Sequence, residues 1–141
     1  MKQIILALTL LIAGQTAGFA QCDKTVLINS SKTEYLDGTG TLKRTVDENS
    51  IIEISKSNIT IAPGNGEKMY AVIKSDSCNW KTPYKEGKTI IKAVFNREDG
   101  KTMNSTITLE GRDDKLTLLM ETEEMPDKKI RVVIDKFEEK K

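Results

Sequence analysis

Residues 89–122 read TIIKAVFNREDGKTMNSTITLEGRDDKLTLLMET, and their pattern is the clearest indication of the fold class. Apolar side chains recur there at every second position in three successive runs, which a β-strand with one buried face requires. The alternating positions are Ile91, Ala93, Phe95, Ile107, Leu109, Leu116, Leu118 and Met120. Turn residues at 98–100 and 111–114 separate the runs, and an Asp-Gly pair favours tight hairpins because both residues tolerate positive φ. The stretch predicts three consecutive antiparallel strands.

The same period of two extends through the rest of the chain. It recurs at Met69, Ala71, Ile73, Ile130, Val132 and Ile134. Turn chemistry is found at 37–40, 63–66 and 125–127, and residues 47–49 also resemble a turn, bounding a strand around 42–46. The charged end of the chain, 137–141, is expected to be solvated.

No segment carries a helical stripe, so the predicted class is all-β. The alternation gives each strand one wet face, which is typical of antiparallel sheets. The prediction is an antiparallel meander of about 8–10 strands, closed as a barrel or packed as a sandwich. Strand order is not readable from the pattern, and both arrangements stay open.

The first 22 residues, MKQIILALTLLIAGQTAGFAQC, are typical of a secretory signal peptide. Lys2 precedes an apolar run at 4–13, and small residues precede Ala20, where cleavage is expected. The run is shorter than the roughly 20 residues that span a bilayer. The prediction is a signal peptide at 1–20, one all-β domain at 21–141, no membrane span, and a periplasmic or extracellular location.

The chain has two cysteines, Cys22 and Cys78, and we expect them to form a disulfide. Export and an even cysteine count favour pairing. Closing so long a loop is worth about 4 kcal/mol in the chain-entropy model. The alternative, lipidation of Cys22, is disfavoured because Phe19 and Gln21 depart from the usual lipoprotein pattern.

Charge excludes one class of partner. Lys2 is the only charged residue in 1–20, so of 22 basic and 21 acidic residues the mature chain keeps 21 of each. A neutral chain with interspersed charges lacks the basic face that nucleic acid binding needs.

The sequence contains no histidine, which removes the usual catalytic base and the commonest metal ligand. We therefore expect no catalytic residues, no metal site, no cofactor and no enzyme activity. Carboxylate pairs for glycoside hydrolysis were the remaining catalytic option. The candidates are Glu110, Asp113, Asp114, Glu121, Glu123 and Glu124, and all lie where solvated surface acids are ordinary.

Three aromatic residues, Trp80, Tyr84 and Tyr70, are the candidate contacts for a ligand or partner. Trp80 lies two residues after Cys78, so both side chains should share a strand face. A Trp beside a disulfide is most often core packing, and the functional alternative is a stacking wall at a barrel mouth. Pro83 interrupts that strand and predicts an edge or a bulge near its end.

The export signal, single disulfide and meandering strands together resemble the lipocalin-like small secreted bacterial β-barrel proteins. The resemblance covers the mature chain as a pattern of strands. The Gly-x-Trp motif of lipocalins has no counterpart on the first strand, where no Trp occurs. The resemblance implies a barrel architecture and transfers no binding residues.

The sequence favours an exported, noncatalytic binding protein for a small apolar ligand. The alternative is a protein-interaction module of the cell envelope, either a structural domain or an inhibitor of an extracytoplasmic enzyme. The inward positions are rich in Ile, Leu and Val, and we expect them to fill the interior.

Overall fold

The computed structural model describes residues 21–64, 66–97 and 99–141, and the predicted signal peptide lies outside these ranges. Eight β-strands form the fold. They are β1 (Val26–Asp37), β2 (Leu42–Ile54), β3 (Asn58–Pro63), β4 (Met69–Thr82), β5 (Glu86–Asn96), β6 (Thr102–Arg112), β7 (Lys115–Thr122) and β8 (Met125–Glu139).

Each strand pairs antiparallel with the next, and β8 returns to pair with β1. The sheet is therefore a closed barrel, with the closing ladder running from Val26 opposite Glu139 to Asp37 opposite Lys128. The predicted all-β antiparallel meander is confirmed, and of the two predicted arrangements the barrel is the one formed.

The interior follows the period-two pattern of the sequence. Inward positions of neighbouring strands meet in one hydrophobic core, while the residues between them face outward. The largest fully buried side chains are five isoleucines, Ile28, Ile52, Ile59, Ile91 and Ile107. Burying each one contributes roughly 1.5–3 kcal/mol, so this belt across five strands holds the barrel together.

The two ends of the barrel differ. One end of the barrel carries the β1–β2, β3–β4, β5–β6 and β7–β8 turns, and we call this end the mouth. The remaining turns and both termini of the described chain lie at the opposite end, which we call the closed end.

Three sequence expectations are wrong in detail. Residues 47–49 form no turn but lie inside β2, because the backbone ladder with β1 shifts register there and resumes at Asp47 opposite Lys32. The last β-turn falls at Glu123–Glu124, so β8 already begins at Met125. The end of the chain is not a solvated tail: β8 pairs with β1 as far as Glu139, and Phe137 is buried.

A pair of positive φ angles occurs at a different hairpin turn from the one that the sequence predicts. At Asp113 and Asp114 both φ angles are positive, 52° and 63°, the mirror-image geometry that suits a two-residue hairpin. At the Asp-Gly pair only Gly100 has positive φ, 82°. Aspartate tolerates the left-handed region better than most residues, so the first turn forms without glycine.

Cys22 and Cys78 are joined by a disulfide with Cα atoms 6.0 Å apart, which confirms the predicted pairing. Such bonds are typical of proteins that fold in an oxidising, exported environment. Within the described residues, no helix has the length and apolar character to span a membrane.

Candidate functional site

Trp80 lies in the core at the closed end and is 3% exposed. Its Nε1 donates a 2.7 Å hydrogen bond to Thr89 Oγ1 on β5. The same hydroxyl donates to Cys78 Sγ at 3.3 Å. The predicted shared face of Cys78 and Trp80 is therefore present, with Thr89 joining them.

Tyr84 completes an aromatic group around Phe137. The Phe137 ring meets the Tyr84 ring edge-on at 4.9 Å and the Trp80 ring at 5.7 Å. Tyr84 has a φ of 63°, and its backbone N–H donates to Gln21 Oε1 at 2.6 Å. Burial, with a smaller effect from the Glu139 charge, raises the pKa of the Tyr84 phenol. These contacts seal this end of the barrel.

Tyr70 lies apart from the other two aromatic candidates. It faces outward from β4 opposite Thr60 of β3 and is 59% exposed. The structure therefore brings Trp80 and Tyr84 together but not Tyr70. That any of the three contacts a ligand or partner stays a prediction.

The mouth half of the barrel contains a cavity of about 260 Å³, which we call the chamber. Six strands contribute to its wall. The apolar lining consists of Ile52, Ile61, Pro63, Met69, Leu118, Met120, Ile130 and Val132. The interior is thus filled at the closed end but open at the mouth, in contrast to the filled interior expected from the sequence.

A wider space of about 610 Å³, which we call the vestibule, lies at the mouth. Tyr35, Met69, Met120 and Ile130 line both spaces, so the chamber and the vestibule adjoin. All four methionines of the described chain line the vestibule, namely Met69, Met103, Met120 and Met125. Methionine is flexible and polarizable, so this wall adapts to differently shaped apolar groups.

Charged side chains form the rim of the vestibule. Lys43 is 3.6 Å from Asp37, and Lys129 is 3.1 Å from Glu121. The Arg44 guanidinium lies 4.3 Å from the centre of the Tyr35 ring, a cation–π contact. The rim therefore keeps the entrance wet while the wall behind it is largely apolar.

One side of the chamber is polar, and sequence reasoning missed it. Thr33 and Tyr35 of β1 and Glu48 and Ser50 of β2 line it side by side, and we call these four residues the polar strip. Because residues 47–49 were interpreted as a turn, Glu48 was not expected to face the interior: a carboxylate in a turn is normally solvated. The signal that reveals Glu48 is its spacing: it lies two residues before Ser50 and four before Ile52, so all three share the inward face of β2.

The candidate carboxylates Asp113, Asp114 and Glu124 lie in hairpin turns. Asp113 and Asp114 are exposed in the β6–β7 turn. Glu124 accepts hydrogen bonds from the backbone and side-chain amides of Asn104 at 2.8 and 3.0 Å, which lower its pKa. A general acid needs the opposite shift. Within the described ranges, no group of three or more Cys, Asp or Glu side chains is placed to hold a metal ion.

Comparison with known proteins gave no match to a family model, to a curated protein or to a solved structure. The geometry of the barrel is therefore what indicates the function.

Proposed function

We propose that this protein is an exported, noncatalytic, lipocalin-like barrel that binds a small apolar ligand in the chamber. The observation that carries the proposal is the open, largely apolar cavity behind the mouth. Closed barrels of eight strands commonly either fill their interior or hold one small ligand. Here the closed end is packed and the mouth half is not.

The size and chemistry of the cavity support a small molecule as the occupant. Ligand sites are concave, mostly apolar and usually about 300–1,000 Å³. The chamber of about 260 Å³ together with the vestibule of about 610 Å³ matches that range. The disulfide cross-links the closed end below the site, and preorganisation of this kind reduces the entropy lost on binding.

The alternative function is a protein-interaction module of the cell envelope, and one observation favours it. Ile51, Tyr70 and Val72 face outward and are 51%, 59% and 43% exposed. Ile51 lies on β2 and the other two lie on β4, with Ala62 and Thr60 of β3 between them on the same outer face. Exposed apolar groups at adjacent positions are typical of partner surfaces.

Binding of diphenylhexatriene tests the proposed function. This fluorophore is apolar, carries no hydrogen-bonding group and emits strongly only when out of water. We expect saturable emission with the native, oxidised protein. Met120→Trp places a bulky ring at the junction of chamber and vestibule, so we expect affinity to fall at least tenfold.

The matched control is Leu119→Trp, one residue earlier on β7 and therefore on the outer face. It should bind the fluorophore as the wild type does. Equal loss in both variants, or no emission with the wild type, would contradict a binding chamber. Melting curves for both variants establish that each one is folded.

A further inference from the structure

Seven polar residues are buried in the described chain, and five of them have hydrogen-bonded side chains. Ser30 donates to the carbonyl oxygen of Val133, and Ser105 and Thr122 bond each other. Gln21 and Thr89 are partnered at the closed end. Buried polar groups in proteins are normally satisfied in this way.

Thr33 and Ser50 are the two exceptions. They are 4% and 5% exposed, and within the described chain neither hydroxyl has a hydrogen-bond partner. Both residues line the chamber. Within the described chain, every side-chain oxygen that is completely shielded from solvent has a hydrogen-bond partner, so these two unpartnered oxygens must be accessible. Their oxygen atoms therefore face the cavity, and a molecule in the chamber is the available partner.

Glu48 and Tyr35 extend this unsatisfied surface. Glu48 lies on β2 opposite the β1 bulge between Ser30 and Lys32, and it too lines the chamber. Within the described residues its carboxylate makes no ion pair or hydrogen bond, and the Tyr35 hydroxyl makes no hydrogen bond. An ionised carboxylate accepts hydrogen bonds and donates none.

Building on the proposed function, we propose that the polar strip selects ligands that carry a hydrogen-bond donor, an alcohol or amine, on an otherwise apolar skeleton. The donor bonds to Glu48, with Thr33 and Ser50 completing its hydrogen bonds. The skeleton packs on the apolar lining formed by Ile61, Leu118 and Val132 and their neighbours.

The charge of the strip argues against carboxylate ligands in the chamber. Glu48 is its charged group, and it repels an anion brought beside it. The cations Arg44, Lys43, Lys128 and Lys129 line the vestibule and not the chamber. An anionic head group would therefore stay at the wet rim, where screening weakens its attraction.

Displacement of diphenylhexatriene by matched chains tests the selection. The competitors are decanol, decylamine, methyl nonyl ether and decanoate, which have similar apolar length. One hydrogen bond to a charged group should raise the affinity of a competitor with a donor roughly tenfold over that of a competitor without one. We expect decanol or decylamine to compete at least tenfold better than the ether, with decanoate the weakest. The better of the first two identifies the donor as alcohol or amine.

Variants of the strip locate the preference. Thr33→Val and Ser50→Ala remove hydroxyls with little change of shape, and Glu48→Gln removes the charge. Each should reduce the ratio of decanol or decylamine affinity to ether affinity. Thr45→Val, on the exposed outer face of β2, is the matched control and should keep the wild-type ratio.

The outcomes separate the two proposals. If the fluorophore binds but all four competitors displace it equally, the donor selection is wrong and the binding chamber stands. If decanoate competes best, the rim cations are the anchor and the selection is overturned. If the fluorophore does not bind the wild type, the proposed function itself fails.

Discussion

At the scale of single residues, Asp37 organises the β1–β2 turn at the mouth. Its Oδ1 accepts hydrogen bonds from Thr39 N, Thr39 Oγ1 and Thr41 N at 2.9, 2.6 and 2.9 Å. The side-chain bond from Thr39 and the backbone bond from Thr41 are the largest causes that lower the pKa of Asp37 from 3.8 to about 2. Because the folded state favours the ionised form, this carboxylate stabilises the fold above the unfolded pKa.

We predict that Asp37→Asn lowers the melting temperature near neutral pH. The difference from the wild type should shrink as pH falls from about 4 towards about 2, where the wild-type carboxylate becomes protonated. Melting followed by circular dichroism across this range measures it. Asp47→Asn, on the exposed outer face of β2, is the control. A difference that stays constant down to the lowest pH would contradict the assignment.

The residues of the chamber show what a sequence pattern can and cannot reveal. Alternation correctly assigned the inward face of Met120, Ile130 and Val132. It does not report volume, because a side chain lining a cavity and one filling a core have the same periodicity. The inward position of Glu48 was not predicted for a different reason. The polar triplet 47–49 resembles a turn in the sequence, and only the cross-strand pairing with β1 shows that it belongs to a strand.

At the scale of elements, β3 and β4 form the weakest part of the wall. β3 has six residues, and its ladder with β4 ends where Asn58 meets Val72. Within the described chain, residues 74–82 of β4 have strand pairing from β5 alone. The disulfide attaches the segment before β1 to this half of β4 through Cys78.

We predict that replacing both cysteines by serine destabilises the protein by about 4 kcal/mol. Hydrogen exchange should become faster in residues 74–82, because the staple no longer limits their local opening. The ladder between β6 and β7 is the internal control and should change only with global stability. Urea unfolding and hydrogen-exchange mass spectrometry measure the two effects. Uniform acceleration along the chain would contradict a local role for the disulfide.

Elements with clean alternation were predictable, and those with interruptions were not. β5, β6 and β7 were identified within three residues of their ends. β1 carries polar residues at 29–34 and a bulge after Ser30, so its pattern breaks midway. Phe137 was misplaced for the same reason, because a register shift separates it from the inward run at Ile130–Ile134.

At the scale of the whole molecule, closure depends on the pairing of β1 with β8. These strands are the first and last in the sequence, and no local signal specifies that they meet. A barrel and a sandwich use the same alternating strands, which explains why the sequence left both open. Closure also encloses the interior in which the chamber lies, and on that chamber the proposed function rests.

Methyl NMR of the native protein with added decanol tests binding inside the barrel most directly. We predict shifts at methyl groups of the chamber, in Ile61, Met120 and Ile130, and none at Ile28 or Ile107 in the packed half or at the outward Ile51. Shifts confined to Ile51 and Val72, or absent from the chamber methyl groups at saturating decanol, would contradict the account.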